Sequence, residues 1–442
     1  MTFNERFKNV SVLGAAGKMG SGIMYLNTLY LSQLKLSKDN AGETFVINAI
    51  DQSHKQLDGL MAFLRKLLLK WAEKNTIWLR KAYEDRSDLI ENGDIIKAYI
   101  EDAISIVKPS MRLEAAYDSY LIFEAVSENI DIKTKLFKQI RENNNNDPWF
   151  LTNTSSIPIN ELDKKADLNK NIIGCHFYNP PAVQKLIEVI EIKDGNKELS
   201  GLVHDFSKAL GKITVPANDI AGFIGNGFFM RDLLFGLKKA EELNSKFSFA
   251  ESILIIDTVT RDFLLRPMGI FQLTDYVGID VCSFILDVMN RYLNEELYSD
   301  LLIKLLNSDI KGGQFSDGSQ KPGFFTYEKG RIISVYDHDK QEYIDIAIIQ
   351  PKVNEYLGEL PNNISWRSLS RNKNKQQLIE NFFAKLRERN NNGCTLAAEY
   401  MKEMNTIGKQ LVADGVTDSV ENVNTVMKTG FHHIYGPVND YV

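Results

Sequence analysis

Cysteine is scarce in this chain, and its three residues lie far apart at positions 175, 282 and 394. Because they are few, odd in number and far apart, these cysteines predict neither a disulfide framework nor a zinc site. Their scarcity fits a reducing compartment. Long apolar runs are missing too, since no stretch approaches the roughly 20 residues that cross a bilayer. The first ten residues hold no apolar signal core. We therefore expect a cytoplasmic protein that does not enter a membrane.

An excess of positive charge is also missing. The 52 Lys and Arg residues are outnumbered by 58 Asp and Glu residues, which gives a net charge of -6. A protein that binds the phosphate backbone of nucleic acids needs a positively charged surface, so we expect no nucleic-acid partner. The 442 residues, 44% hydrophobic and 25% charged, match an ordinary globular chain of several domains.

Strand and helix patterns alternate through the first half of the chain. Short apolar runs that predict strands occupy residues 8–14, 44–51, 119–126, 148–155, 172–179 and 186–192. Segments with helical periodicity lie between them, and the segment 57–74 is strongly amphipathic. This alternation predicts a parallel, doubly wound α/β sheet.

From about Asp219 the pattern becomes helical. Residues 324–345 alternate and contain Lys-Gly and Asp-Lys turns, which predicts a small β-hairpin, and the polar segment 362–375 indicates a linker. We therefore expect a dinucleotide-binding domain at 1–217, a helical domain at 218–330, a hairpin and linker at 331–375, and further helices at 376–442.

Three glycines, Gly14, Gly17 and Gly20, lie between a predicted strand and a predicted helix. Glycine lets a backbone turn tightly and approach a pyrophosphate, while the helix N-terminus attracts the phosphates. The spacing is one residue longer than the usual G-x-G-x-x-G, and a simple tight turn is the alternative interpretation.

Asp51 ends the second predicted strand, where a carboxylate can bind the adenosine ribose. It lies 31 residues beyond Gly20, and the extra length falls in the polar stretch 37–43. No Arg adjoins it to accept a 2′-phosphate, so we predict NAD rather than NADP as the cofactor. The alternative is a solvated acid at a strand end.

Several segments, in one order, resemble the 3-hydroxyacyl-CoA dehydrogenase family over roughly residues 8–330. TNTSS (152–156) is similar to SNTSS, HFYNP (176–180) to HFFNP, and KLIEVI (185–190) to KLVEVI. AGFIGN (221–226) resembles PGFIVN, and RPMGIFQLTDYVGID (266–280) resembles PMGPFELLDYVGLD. The resemblance implies a Rossmann-like α/β domain followed by all-α domains of the 6-phosphogluconate-dehydrogenase C-terminal type.

The resemblance also assigns roles that agree with the chemistry of the residues. His176 would be the base that takes the hydroxyl proton of an alcohol, and Glu188 would hold its far nitrogen. Ser155 and Asn226 would hold the substrate oxygen. Asn179 and Glu124 would lie near the nicotinamide end of the cofactor. The alternatives are a core histidine for His176, and turn or cap residues for Ser155 and Asn226.

The expected reaction is NAD-dependent oxidation of an L-3-hydroxyacyl-CoA, as in fatty-acid β-oxidation. Two alternatives stay open: a dehydrogenase of free hydroxy acids or sugar acids on the same fold, and a non-catalytic NAD-binding protein. Coenzyme A would lie near the helix after Asp51, although a solvated basic face is equally compatible with its Lys and Arg residues. These are Lys55, Arg65, Lys66 and Lys70.

The C-terminus resembles an earlier segment of the same chain. Residues 423–442 match 256–277, because Asp257-Thr258-Val259 aligns with Asn424-Thr425-Val426 and Gly269 aligns with Gly436. Single-copy family members dimerise through the helical domain. A second, partial copy could cover that apolar surface within one chain, so we expect a monomer with an internal pseudo-dimer, with a homodimer as the alternative.

Overall fold

The computed structural model of the chain describes residues 3–40, 42–315 and 318–441. The chain divides into two compact units, Met1–Asp219 and Ile220–Val442. In the described part of the chain, no helix combines the length and the apolar character needed to cross a membrane.

Unit 1 is an α/β structure. Its strands are β1 (Asn9–Leu13), β2 (Val46–Ile50), β3 (Val107–Ser110), β4 (Leu121–Glu124), β5 (Trp149–Thr152), β6 (Ile172–Phe177), β7 (Leu186–Glu191) and β8 (Ile213–Asn218). Its α-helices are α1 (Phe3–Arg6), α2 (Gly20–Leu36), α3 (His54–Lys74), α4 (Thr76–Ala82), α5 (Asn92–Ser105), α6 (Ile130–Asn143), α7 (Ile159–Ala166) and α8 (Lys197–Ala209).

The eight strands of unit 1 form one sheet in the order β3-β2-β1-β4-β5-β6-β7-β8. Strands β1 to β6 run parallel to one another, as predicted. The prediction of parallel strands is wrong for β7, which pairs antiparallel to β6, and β8 runs parallel to β7. The connection 178–185 is too short for the crossover that a parallel neighbour requires, so the chain turns back as a hairpin.

The longer helices pack by an apolar stripe, as α3 illustrates. In α3, leucines 57, 60, 64 and 68 are buried at helical spacing, and the side chain of the N-cap Ser53 accepts a hydrogen bond from the Gln56 amide. On one face of the sheet the side chains of Ile173, Cys175, Ile187 and Val189 join the main apolar core. Since side chains alternate along a strand, His176 and Glu188 lie on the opposite face.

Unit 2 is mainly helical. It contains α9 (Gly225–Leu243), α10 (Phe249–Thr258), α11 (Ile270–Val277), α12 (Ile279–Tyr292), α13 (Asp300–Asn307), α14 (Ile346–Leu357), α15 (Trp366–Leu369), α16 (Lys375–Glu388), α17 (Asn392–Ala413) and α18 (Val420–Gly430). A π-helical turn, Val259–Phe263, follows α10. Strands β9 (Phe325–Glu328), β10 (Arg331–Asp337) and β11 (Glu342–Asp345) form a small antiparallel sheet.

The range 331–375 differs from the predicted hairpin and linker. The hairpin gains a third strand, and α14 and α15 lie in the remainder of the range. Pro351 lies inside α14, where an interior proline removes one backbone hydrogen bond. Tertiary packing compensates, since Ile349, Val353 and Leu357 are buried along one side of α14.

The two segments that resemble each other in sequence share one local arrangement. In the first, Asp257 Oδ1 accepts hydrogen bonds from the backbone amides of Phe271 at 3.1 Å and Gln272 at 2.9 Å. In the second, Asn424 Oδ1 accepts from the Val438 amide at 3.0 Å. A Cβ atom at Gly269 or Gly436 would overlap the side chain of Asp257 or Asn424, respectively. Val442, the last residue of the sequence match, lies outside the described residues.

Candidate active site

The glycine turn of unit 1 is shaped by close backbone approaches. Gly14 has a φ of +71°, and a Cβ atom on it would lie 2.6 Å from the Ala125 carbonyl oxygen. A Cβ atom at Gly20 would overlap the Gly14 carbonyl, and one at Gly17 would lie 3.2 Å from it. Helix α2 begins at Gly20, so its positive dipole end adjoins this turn. The arrangement is a cradle that a pyrophosphate fits.

Asp51 lies beside this turn although it is distant in sequence. Strands β1 and β2 are parallel neighbours, with Leu13 opposite Ile50, so the residues after them meet at the same edge of the sheet. The Asp51 carboxylate accepts the Ala16 amide through Oδ2 at 2.9 Å and the Gln52 amide through Oδ1 at 2.8 Å. The extra sequence before β2 contains a 3-10 turn, Lys38–Asn40, and leaves the strand ends in contact.

His176 and Glu188 face each other across the antiparallel pair of β6 and β7. The register places them directly opposite, and Nδ1 of His176 lies 3.0 Å from Oε1 of Glu188. The Glu188 side chain is fully buried, whereas the His176 side chain keeps 10% exposure. The carboxylate therefore fixes the tautomer with the proton on Nδ1, which leaves Nε2 as the basic nitrogen.

Tyr178 is a third member of this group that the sequence alone did not identify. Its hydroxyl donates to the same Oε1 atom of Glu188 at 2.7 Å. Burial raises the pKa of the Tyr178 phenol well above its usual range, and the neighbouring Glu188 carboxylate raises it further. In the sequence Tyr178 looks like an ordinary aromatic residue of a strand end, because the family pattern HFFNP has phenylalanine at this position.

Ser155 lies in the loop that follows β5, and Glu128 holds this loop. Oε1 of Glu128 accepts the Ser155 amide at 2.8 Å and the Thr154 hydroxyl at 2.5 Å. Asn153 Oδ1 accepts the Phe177 amide at 2.9 Å, which ties the loop to the end of β6 beside His176. The loop is thus fixed next to the histidine.

The structure does not favour Glu124 as a group that reaches a ligand. Its side chain is fully buried, and it accepts Lys133 Nζ and the Val126 amide through Oε1 and the Thr152 hydroxyl through Oε2. Lys133, also buried, lies 3.1 Å from Glu128. Glu128, with 24% side-chain exposure, is the better candidate for cofactor contact at this place. Burial tends to raise the pKa of Glu128, but Lys133 and the loop hydrogen bonds lower it overall.

Asn179 follows Tyr178 in a loop that adjoins helix α2. A Cβ atom at Gly22 in α2 would lie 2.8 Å from the Pro181 ring, so glycine there lets the loop pack closely. Lys212 donates to the carbonyl oxygens of Pro181 and Gln184, each at 2.6 Å. Burial lowers the pKa of Lys212 to about 8. Asn179 is thereby held near the glycine turn.

The remaining predicted residues lie elsewhere in the chain. Asn226 is the second residue of α9 and belongs to unit 2. The basic residues of α3 are exposed, and Arg65 forms an ion pair with Glu101 at 2.6 Å. Within the described ranges, no group of three or more His, Cys, Asp or Glu residues is arranged to hold a metal ion.

Comparison with known proteins agrees with this geometry. The NAD-binding domain of 3-hydroxyacyl-CoA dehydrogenase matches residues 9–220, and the C-terminal domain of the same family matches residues 248–323. The human mitochondrial hydroxyacyl-coenzyme A dehydrogenase is 30% identical over 285 residues, which cover 63% of this chain and 79% of the human protein. The chain belongs to the 3-hydroxyacyl-CoA dehydrogenase family. It is therefore an NAD-dependent oxidoreductase, and the predicted family and cofactor are confirmed.

Two further relatives extend the match. A probable 3-hydroxybutyryl-CoA dehydrogenase of Bacillus subtilis is 28% identical over 322 residues, 73% of this chain and 98% of that protein. The crystal structure of 3-hydroxybutyryl-CoA dehydrogenase from Escherichia coli shares the fold over 98% of this chain and 90% of its own, with a TM-score of 0.62 and 19% identity. The predicted fold class, a Rossmann-like unit followed by a helical one, is confirmed.

Proposed function

We propose that the protein oxidises an L-3-hydroxyacyl-CoA to the 3-oxoacyl-CoA, with His176 as the general base. The observation that carries the proposal is the contact of 3.0 Å between His176 Nδ1 and the fully buried Glu188. A buried carboxylate is costly unless it has a partner, and here it stabilises the imidazolium that forms when Nε2 takes the hydroxyl proton. NAD supplies the hydride acceptor for the C3 hydrogen.

The other proposed roles follow from the loops around the histidine. Ser155, in the loop that Glu128 and Asn153 hold, would donate a hydrogen bond to the substrate oxygen as it becomes a carbonyl. Asn226 would be a second donor to that oxygen. Gly14, Gly17, Gly20 and Asp51 would bind the pyrophosphate and the adenosine ribose, and Asn179 would lie near the nicotinamide.

A comparison of substrates tests the proposal. NADH oxidation should proceed with acetoacetyl-CoA at a far higher kcat/KM than with free acetoacetate, because only the thioester can use a CoA-binding surface. Equal values would instead favour a dehydrogenase of free hydroxy acids. Binding of NADH without turnover of any acyl-CoA, over a series of chain lengths, would favour a non-catalytic protein.

We further propose that the second helical copy takes the place of a partner subunit. Helices α9 and α17 are in contact, since the buried Tyr400 donates to the Asp232 carbonyl oxygen at 3.0 Å. A contact within one chain avoids the translational and rotational entropy that association costs. Light scattering should therefore give a particle near 50.3 kDa, the mass of one chain. A particle of twice that mass at micromolar concentration would contradict a monomer.

A further inference from the structure

Tyr178 and His176 share one oxygen atom of Glu188. The hydroxyl lies 2.7 Å and the ring nitrogen Nδ1 lies 3.0 Å from Oε1. An ionised carboxylate oxygen can only accept hydrogen bonds, so the phenol and the imidazole are both donors to it. The phenol and the imidazole therefore both draw on the charge of this oxygen.

The backbone explains why both side chains reach the same atom. His176 lies opposite Glu188 in the paired part of β6, and Tyr178 follows two residues further on, just beyond the strand, which returns its side chain to the same side. The two rings have centroids 4.9 Å apart and planes inclined at 41°. Tyr178 stands where the HFFNP pattern has phenylalanine, so its hydroxyl adds a donor to Glu188 that a phenylalanine lacks.

We propose that Tyr178 is a positioning residue that sets the pH range of the reaction through its hydrogen bond to Glu188. The inference rests on the proposed role of His176 as the base. A second donor withdraws negative charge from Oε1, which then attracts the imidazolium less strongly. The hydroxyl also fixes the orientation of the carboxylate, and with it the orientation of the imidazole ring.

Removal of the Tyr178 hydroxyl should shift the pH profile in the same direction for oxidation and for reduction. Without this donor, the His176–Glu188 pair takes up its proton at higher pH, whichever of the two residues holds it. Oxidation of the alcohol needs Nε2 without a proton, so the acidic limb of the rate profile for oxidation moves to higher pH. Reduction of the ketone needs Nε2 with its proton, so the basic limb of the rate profile for reduction also moves to higher pH. A hydrogen bond of this kind corresponds to about one pH unit.

Other ionisable groups surround the His176–Glu188 pair, and they are the same in the wild-type enzyme and in a variant that lacks only the Tyr178 hydroxyl. The elements packed on β6 and β7, with their adjoining loops, carry Glu161, Lys185, Glu191, Lys212 and Asp219. Glu128 and its partner Lys133 contact the loop that follows β5. The α7 and α8 helices add further exposed charges of both signs, and Cys175 stays neutral because burial raises its pKa. Replacement of Tyr178 by Phe leaves all of these in place, so a difference between the two pH profiles reports the hydroxyl.

The test compares Tyr178→Phe with the wild-type enzyme in profiles of kcat/KM against pH, in both directions. We expect both limbs to move upward by about one unit. Tyr117→Phe is the matched control, since it removes a hydroxyl that Gln139 contacts ahead of β4, at the amino end of the parallel strands, whereas His176 lies near the carboxyl end of β6. 3-Fluorotyrosine at position 178, a more acidic phenol and a stronger donor, should move both limbs downward.

The outcomes separate the inference from the proposed function. If His176→Gln abolishes turnover but neither replacement at position 178 moves a limb, the role of Tyr178 is wrong and the base assignment stands. A lower rate at every pH with unmoved limbs would also overturn it, because mere structural damage has that effect. If His176→Gln retains the wild-type rate, the proposed function itself fails, and this inference fails with it.

Discussion

Asp257 and Asn424 occupy equivalent positions in two helical segments that lie 167 residues apart in the sequence. Each uses Oδ1 to accept a backbone amide fourteen residues further along, from Phe271 or from Val438. Each also faces a glycine that leaves no room for a Cβ atom. The first segment thus accepts this hydrogen bond with a carboxylate oxygen, and the second accepts it with the oxygen of a neutral amide.

This equivalence predicts the effect of Asp257→Asn on stability. Burial raises the pKa of Asp257 to about 6, against the attraction of Arg261. The folded state then binds the proton more tightly than the unfolded state, so the wild type loses stability as the pH rises from about 4 to about 6. The variant lacks this loss. As the pH rises from 4 to 7, the free energy of unfolding of the variant should therefore increase by about 2–3 kcal/mol relative to that of the wild type.

Urea denaturation at a series of pH values measures this difference. Asp262→Asn is the matched control, because Asp262 also pairs with Arg261, at 2.8 Å, but is partly exposed. Parallel pH dependences for the wild type and Asp257→Asn would show that the buried carboxylate does not titrate in this window.

His176→Gln should lower kcat by about 10²–10⁴-fold, the usual contribution of a general base. Glutamine can still donate a hydrogen bond to Glu188, so the fold and the affinity for NADH should change little. Stopped-flow kinetics and NADH fluorescence titration measure the two quantities separately. A variant that keeps the wild-type kcat would contradict the assignment.

Asp51→Ala should raise KM for NAD by about ten- to a hundredfold and narrow the preference over NADP, because a charge-assisted hydrogen bond to the ribose is lost. The loss of the contact with the Ala16 amide adds to the effect. Initial rates with both cofactors measure it, and Asp118→Ala, an exposed acid ahead of β4, is the control. A wild-type preference for NADP would refute the interpretation of this strand end.

Lys133→Met should destabilise unit 1 by about 3–5 kcal/mol, because Glu124 would lose the cation that balances its buried charge. Lys135→Met, an exposed lysine on the same helix, should cost far less. The double variant Lys133→Met/Glu124→Gln should recover part of the loss, since it removes the unbalanced charge. Urea unfolding measures all three, and equal costs for the two lysines would contradict the prediction.

The sequence predicted the central strands from their local apolar patterns. The histidine–glutamate pair was predicted from the resemblance of HFYNP (176–180) and KLIEVI (185–190) to the family patterns, because a lone histidine in an apolar run is otherwise a core residue. The edge strands β3 and β8 escaped prediction because each contains a proline, Pro109 or Pro216. Proline counts against a strand in general but is tolerated at a sheet edge.

The supporting residues of the site could not be predicted in the same way. Glu128 and Lys133 are polar residues in a helical, solvent-like pattern, and only the tertiary fold buries Lys133 between two carboxylates. The same limit applies to Glu124, since the sequence does not say whether it or the nearby Glu128 faces inward. Burial of a charge depends on partners that are distant in the chain.

The acid–base pair is carried by a single hairpin, because β6 and β7 are joined by the short connection 178–185. Its geometry therefore depends on strand register. A slip of one residue in β7 would turn Glu188 to the other face of the sheet and bring an apolar neighbour opposite His176. Loss or gain of one residue within β7 would keep both side chains in the chain and still separate Glu188 from His176. The length of this strand therefore matters to the pair as much as the identity of its residues.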